Sequence, residues 1–310
     1  MKLMAPSYYP RFSCIAGACK HSCCIGWEIA VDKESYERFS RLDGGSGKIL
    51  NKIGEADGEY FFRTDANGKC PFLNADGLCD LIIEYGESVL CPICADHPRF
   101  RSFYETFTEI GLGLSCEEAA RIILNDQAPF SMIALSGGSD ETALTEDEEE
   151  MLSMREEMIE ILEDSSLPFE ERISALFELA DSVTKPLKFK EIADFLLSLE
   201  RLDASWDVLL NELRDVKPVK LPASIVLPLQ KACVYFVYRH MPRALIYDDL
   251  YAAALLSSFL CYFLWQLFSR AYAVNPSFSM VSVARLMSGE LEYSDENLDL
   301  LTDMLIDLFA

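Results

Sequence analysis

The sequence predicts a mainly α-helical chain in which a loop-rich, cysteine-ligated metal-binding N-terminal region with a few short strands precedes an α-helical C-terminal domain. Eleven cysteines are present, and nine of them lie at or before Cys116. Glycine and proline punctuate the same stretch, which shows little helical period. Beyond about residue 146, apolar side chains recur at helical spacing. At 310 residues the chain exceeds the length at which one hydrophobic core usually stops growing. The expected division is a cysteine-rich metal domain over 1–125, a linker over 126–145 and a helical domain over 146–310.

Trp27-Glu28-Ile29-Ala30-Val31-Asp32 leads into an expected helix over Lys33–Arg41, and Asp43-Gly44-Gly45-Ser46-Gly47 reads as a turn. Tyr60-Phe61-Phe62-Arg63 suggests a short strand, followed by a turn at Asp65-Ala66-Asn67-Gly68. Phe103 to Ser115 alternates as a strand or hairpin, and Glu117–Asn125 reads as a helix. Pro129 and Ser136-Gly137-Gly138-Ser139 mark the linker. Glu146-Asp147-Glu148-Glu149-Glu150 then opens a helix to about Leu162, because acidic side chains complement the positive end of a helix dipole. The acidic run reads as a solvated face.

Further helices are expected over Arg172–Ser182, Phe189–Leu199, Trp206–Leu213, Ile225–Tyr238, Tyr251–Tyr272 and Leu298–Phe309. Pro186, Pro218, Pro222, Pro228, Pro242 and Pro276 are placed near their boundaries. Cys233 and Cys261 sit inside apolar helices and read as core. Leu250 to Phe268 carries no charge and is long enough to span a bilayer. Ser257, Ser258 and Gln266 interrupt it and no strong basic flank attends it, so a buried central helix is the favoured reading.

Fifty-one acidic side chains against 27 basic ones give a formal charge of −24. Such a surface repels phosphate backbones and favours cationic partners; neither a nucleic-acid nor a membrane partner is expected. The first ten residues lack the apolar stretch of an export signal, so a cytoplasmic location is expected. In that reducing compartment, clustered cysteines bind metal rather than build disulfides.

The cysteines fall at Cys14, Cys19, Cys23 and Cys24, then Cys70, Cys79, Cys91, Cys94 and Cys116. Four thiolates satisfy either a tetrahedral zinc or the corners of a cubane cluster. Structural zinc favours paired CxxC knuckles, and only Cys91 and Cys94 have that spacing. The adjacent Cys23-Cys24 pair does not easily place both sulfurs on one ion. Spacing therefore favours iron–sulfur, with zinc as the alternative. Gly26 stands where a radical S-adenosylmethionine motif would need its third cysteine, and Gly111-Leu112-Gly113 is too short for a Rossmann turn. His21 and His97 lie among the cysteines as ligands, hydrogen-bond donors to ligands, or loop residues, the last slightly favoured; His240 is placed in a turn without signal.

On these residues the chain resembles the flagellin lysine-N-methylase family. The matching motifs are Pro6 with Tyr9, Phe12-x-Cys14, Cys19-x3-Cys23-Cys24-x-Gly26-Trp27 with Asp32, and Cys70-Pro71-Phe72-Leu73. Leu78-Cys79, Cys94 before Pro98-Arg99, and Leu114-Ser115-Cys116 before Glu118-Ala119-Ala120-Arg121 complete them. The resemblance covers the first 125 residues and matches eight cysteines: Cys14, Cys19, Cys23, Cys24, Cys70, Cys79, Cys94 and Cys116. Cys91 is an extra, and Glu117 stands where the pattern has proline. It implies methyl transfer from S-adenosylmethionine to lysines of flagellin, or of another lysine-bearing protein, with a [4Fe–4S] cluster held by four or more of the eight. It does not say which four. Tyr8, Tyr9, Trp27 and Arg99 are candidate catalytic residues in addition to the cysteines, with packing or a structural hydrogen bond as the alternative for each. The competing classes are a zinc-stabilised binding module and an iron–sulfur redox protein.

Overall fold

A computed structural model describes residues 2–26, 29–42, 46–138, 143–182 and 188–309. Trp27, the Asp43-Gly44-Gly45 part of the expected turn, Ser139 and Pro186 lie outside the described residues. The chain is mainly α-helical with two small sheets. The strands are β1 (Lys2–Pro6), β2 (Ile29–Val31), β3 (Ile53–Ala56), β4 (Glu59–Phe62), β5 (Arg99–Phe103), β6 (Phe107–Leu112) and β7 (Met132–Ser136).

Two compact units emerge. One consists of Met1–Phe12, Arg101–Ser115 and Ala119–Ala310; the other is Ser13–Phe100 with Cys116–Glu118. The division differs from a boundary at residue 125 because strand pairing is non-local. β1 runs parallel to β6, with Lys2 opposite Phe107, and antiparallel to β7, with Pro6 opposite Met132. Residues flanking the cysteine stretch on both sides thus join the helical unit, and the expected linker contains β7.

In the helical unit, the expected helices are present as Glu146–Glu163, Phe169–Leu179, Phe189–Leu196, Ala204–Leu213, Ala223–His240, Leu250–Val274 and Asp295–Phe309. A further helix, Met280–Glu292, was not anticipated. Thr145 caps the acidic helix: its Oγ1 accepts from the Glu148 amide at 3.2 Å, while Glu148 Oε2 accepts from the Thr145 amide at 2.9 Å. Pro228 is not at a boundary but inside Ala223–His240. It is the sixth residue of that helix, so it removes an amide that would otherwise donate to the Ser224 carbonyl.

Leu250–Val274 is long and apolar enough to cross a membrane, but 78% of its most apolar window is buried inside the protein. Its serines explain how polar groups survive there. Ser257 Oγ donates to the Ala253 carbonyl at 2.8 Å, and Ser258 Oγ to Ala254 at 2.7 Å and Leu176 at 3.1 Å. Cys233 and Cys261 are fully buried, and each sulfur points at the other's carbonyl. Burying each Leu or Phe of this helix contributes roughly 1.5–3 kcal/mol.

Two buried charge networks lie in the same unit. Arg155 grips Glu109 through Nη1 at 2.7 Å and Nη2 at 2.8 Å. Glu292 receives His240 Nε2 at 2.7 Å, the Tyr235 hydroxyl at 3.0 Å and Arg239 at 3.3 Å. His240 is therefore not a turn residue without role; it closes Ala223–His240 with 1% of its surface exposed. Burial opposes charge on Glu292, but Arg239 and His240 prevail and hold its carboxyl below the usual range. Burial outweighs the Glu292 contact at His240 and lowers its pKa from 6.5.

Arg155→Leu leaves Glu109 buried without its partner and is expected to cost about 3–5 kcal/mol in chemical denaturation. Glu109→Leu combined with Arg155→Met should recover most of it, and a single variant as stable as the parent refutes the assignment. The pH dependence has one sign. Between 6.5 and the lower folded value of His240, only the unfolded chain takes up that proton, so stability falls as pH drops through this window. Glu292, also depressed, loses its contribution at still lower pH. The thermal midpoint is expected to fall from pH 7 to pH 5, and to fall less in His240→Gln.

Candidate metal centre

All nine N-terminal cysteines belong to the second unit. Its core is small: Phe39 of the helix Lys33–Ser40 packs with Phe62 of β4, and Phe72 meets Phe62 edge-on. β2, β4 and β3 form its antiparallel sheet in that order. Asp32 caps the helix by accepting from the Ser35 amide at 2.9 Å. Lys52 reaches across to the Pro71 carbonyl at 2.8 Å and lies over the Phe72 ring.

Backbone hydrogen bonds bring the cysteine segments together. The turn at Asp65–Gly68 closes as expected, with the Gly68 amide donating to Asp65 at 2.9 Å. Residues 24–26 then align against 68–70: the Cys70 amide donates to the Cys24 carbonyl at 2.8 Å, and the Gly26 amide to Gly68 at 3.0 Å. Asn74 folds the next turn by accepting from Asp76 and Leu78, both at 3.0 Å, which sets Leu73 opposite Cys79. Cys94 lies in the short helix Pro92–Asp96, its amide bonded to the Cys91 carbonyl at 3.0 Å.

Glycines permit the close approach. A Cβ on Gly68, whose φ is +70°, would meet the Gly26 backbone at 3.2 Å. A Cβ on Gly17 would strike the Asp76 carbonyl oxygen at 2.6 Å. These two contacts lie at either end of the loop that carries Cys19, Cys23 and Cys24.

The sulfurs form one connected set. Cys94 interacts electrostatically with Cys91, Cys24, Cys70 and Cys79, and Cys70 and Cys79 each interact with Cys24. Cys23 interacts with Cys24, Cys14 and Cys116, and Cys19 with Cys116. The Cys23 and Cys24 side chains hydrogen-bond to each other. Burial pushes the Cys70 thiol up to about 11, while accepting from Cys23 brings Cys24 down to about 7. Cys91 is buried with the core and faces Ser35, whose hydroxyl partly offsets the upward push of burial. Among the described residues, no three Cys, His, Asp or Glu side chains are drawn tightly enough to enclose a single ion.

Glu117 was not foreseen as functional. Its Oε2 accepts from the Lys20 amide at 2.8 Å and the Cys19 thiol at 3.6 Å, tying the first cysteine loop to the Cys116 segment. His21 offers its backbone carbonyl to the Cys19 thiol at 3.3 Å. Burial lowers the His97 pKa to about 4, with Arg99 contributing in the same direction. Arg99 opens β5 and reaches the Ala95 carbonyl at 3.4 Å. Tyr8 and Tyr9 belong to the helical unit rather than the cysteine unit. Tyr8 is 5% exposed and lines a small crevice with Asp126, Lys231 and Tyr235.

No protein-family model matches the chain, and no solved structure matches it. Among curated proteins, it is 27% identical over 269 residues to a lysine-N-methylase of Salmonella typhimurium and 26% identical to one of Salmonella choleraesuis. Each alignment covers 81% of this chain and 65% of the relative, so the chain spans just under two thirds of those proteins. A flagellar biosynthetic protein FliU of Salmonella muenchen is 30% identical over 128 residues, 39% of this chain and 76% of that protein.

Gly17→Ala is expected to lower the urea midpoint by the equivalent of about 1–3 kcal/mol, because a backbone carbonyl cannot swing aside. Gly47→Ala, with nothing within 4 Å of the added carbon, is the control and should change little. Equal midpoints for the two variants refute the close-approach argument.

Proposed function

Since the chain belongs to the lysine-N-methylase family, we propose that it transfers the methyl group of S-adenosylmethionine to the ε-amine of lysines, on flagellin or another lysine-bearing protein. In this reading its N-terminal cysteines hold a [4Fe–4S] cluster. The observation that carries it is the gathering of Cys24, Cys70, Cys79 and Cys94 from separate segments onto one small core. Four soft thiols are the donor set such a cluster takes. Each thiolate of a cubane binds a different iron, so its sulfurs stand wider apart than those on one zinc, and this suits a grouping at electrostatic range.

Held by all four thiols the cluster would have no open iron, so one of the four would have to stay unligated for an iron to take the amino-acid end of the cofactor. The chain's own part is to present the amine. An ammonium cannot attack, so the lysine must first lose its proton. Its nitrogen then forms a bond to the methyl carbon as the carbon–sulfur bond breaks, leaving S-adenosylhomocysteine. In-line alignment of nitrogen, carbon and sulfur is the geometric requirement. The formal charge of −24 favours both cationic reactants.

Anaerobically purified protein, incubated with methyl-labelled cofactor and flagellin, should place label on lysine. A lysine-rich protein unrelated to flagellin separates general from specific substrate choice. Cys79→Ser is expected to reduce transfer at least about tenfold, in line with the usual cost of disturbing a metal site. Absence of label with metal-replete protein overturns the enzyme reading and leaves a binding module or a redox protein.

A further inference from the structure

We propose that the C-terminal end of the central helix Leu250–Val274 carries a docking site for a carboxylate-rich segment of a partner protein, built on Arg270 with Lys190, Lys217 and Lys220. All four residues belong to the helical unit, and the site does not depend on the methylase reading.

Arg270 carries the argument. Only 8% of its surface is exposed, yet among the described residues no carboxylate pairs with it. Nη1 donates to the Gln266 side-chain oxygen at 2.5 Å and to the Gln266 carbonyl at 3.3 Å. The guanidinium lies 3.9 Å from the centroid of the Phe189 ring, and its Nε has no hydrogen-bond partner. Burial lowers its pKa, and nearby Tyr262 pushes the other way. A buried cation without an anion is costly. The other buried arginines of the unit avoid that cost: Arg155 grips Glu109, and Arg172 gives its donors to the Leu162 and Leu167 carbonyls and to Gln230. Arg270 is left for an anion from outside.

Its surroundings are basic in a chain of net charge −24. Elsewhere in the helical unit cations are committed to carboxylates, as Lys231 is to Glu163 and Arg285 to Asp203. Lys190, Lys217 and Lys220 are exposed. The fold brings them to Arg270 by separate contacts. Lys190 follows Phe189, on whose ring Arg270 lies. Ser269 Oγ donates to the Val219 carbonyl, which seats the loop of Lys217 and Lys220 against the same turn of the central helix. Glu191 and Asp194, the carboxylates of Phe189–Leu196, are already held by Lys188 and Arg214. A Glu or Asp side chain brings its charge on a slender stem to a mostly covered guanidinium, whose planar fork matches a carboxylate. A nucleic-acid backbone is too broad to do so, and the net charge opposes a long polyanion.

The test titrates fluorescently labelled hexaglutamate into the full chain, with hexaglutamine, inorganic phosphate and a single-stranded oligonucleotide as comparisons. Hexaglutamate should bind, and more weakly as salt rises. The double variant Lys217→Glu, Lys220→Glu should bind it at least about tenfold more weakly, with an unchanged thermal midpoint. Arg270→Met should lose binding while its thermal midpoint holds or rises, because a charge kept for a partner is relieved of its burial. No binding by the parent, equal binding of hexaglutamine, or full binding by either variant would overturn the proposal. So would a midpoint of Arg270→Met well below the parent's, which makes the guanidinium a structural group. Tighter binding of phosphate or the oligonucleotide than of hexaglutamate overturns the assignment of a carboxylate partner.

Discussion

The cysteine unit depends on one backbone alignment, that of residues 24–26 against 68–70. Two hydrogen bonds make it, from the Cys70 amide to Cys24 and from the Gly26 amide to Gly68. The unit has short strands and a modest aromatic core, so the cysteine segments cannot be organised by long helices or a wide sheet. The alignment requires the two chains to approach closer than side chains normally allow, and glycine stands on both sides of it. Cys24 and Cys70 share one of its hydrogen bonds. Cys79 follows by a turn built on Asn74, and Cys94 by a helix seated on the same core. A change that opened the alignment would disperse Cys24, Cys70, Cys79 and Cys94 without touching any of them.

The helical unit rests on a different physics. Its central helix is apolar on all sides, and its serines return their hydroxyls to backbone carbonyls so that little polar surface is left to solvate. Fixed charge pairs, Arg155 with Glu109 and the Glu292 network, are buried beside it. Such pairs add less stability than their Coulomb energy suggests, because each ion gives up water. What they do is penalise any arrangement that separates them. The apolar helix supplies driving force, and the charge pairs supply uniqueness.

Legibility from the sequence followed the range of the interaction. The long helices were readable because their cause is local: Thr145 with Glu148, the 3.6-residue period, and Asp249 accepting from the Ala252 amide. The turn at Asp65–Gly68 was readable for the same reason. β1 was not, since a five-residue strand earns its conformation from partners about a hundred residues away. Pro228 misled because Ala223–His240 continues through it, buried among other helices of its unit, where the local rule places a boundary. His240 carried no sequence signal because its partner, Glu292, lies 52 residues on. At the candidate site, spacing made the clustering of the cysteines legible and made Cys23-Cys24 conspicuous. It did not say which segments meet. Glu117 was visible as a departure from the family pattern, but its role became evident only from its contacts with Cys19 and Lys20.

The charge balance shows how a chain this acidic can still be selective. Of its 27 basic residues, several are committed inside the helical unit: Arg155 to Glu109, Arg239 to Glu292, Arg201 to Glu290 and Lys231 to Glu163. Internal pairs of this kind are neutral, so they leave the net −24 unchanged and displace it to the surface. The exposed Glu146–Glu150 run, of which only Glu148 turns inward to cap its helix, is one visible part of that surface. A nucleic-acid backbone would be repelled by it at any orientation. On the proposed function, a protein carrying lysines and a sulfonium cofactor would be drawn toward it within a distance set by the ionic strength, about 8 Å under physiological salt. Attraction of this kind does not tell one cation from another, so on the proposed function discrimination falls to the groups at the site.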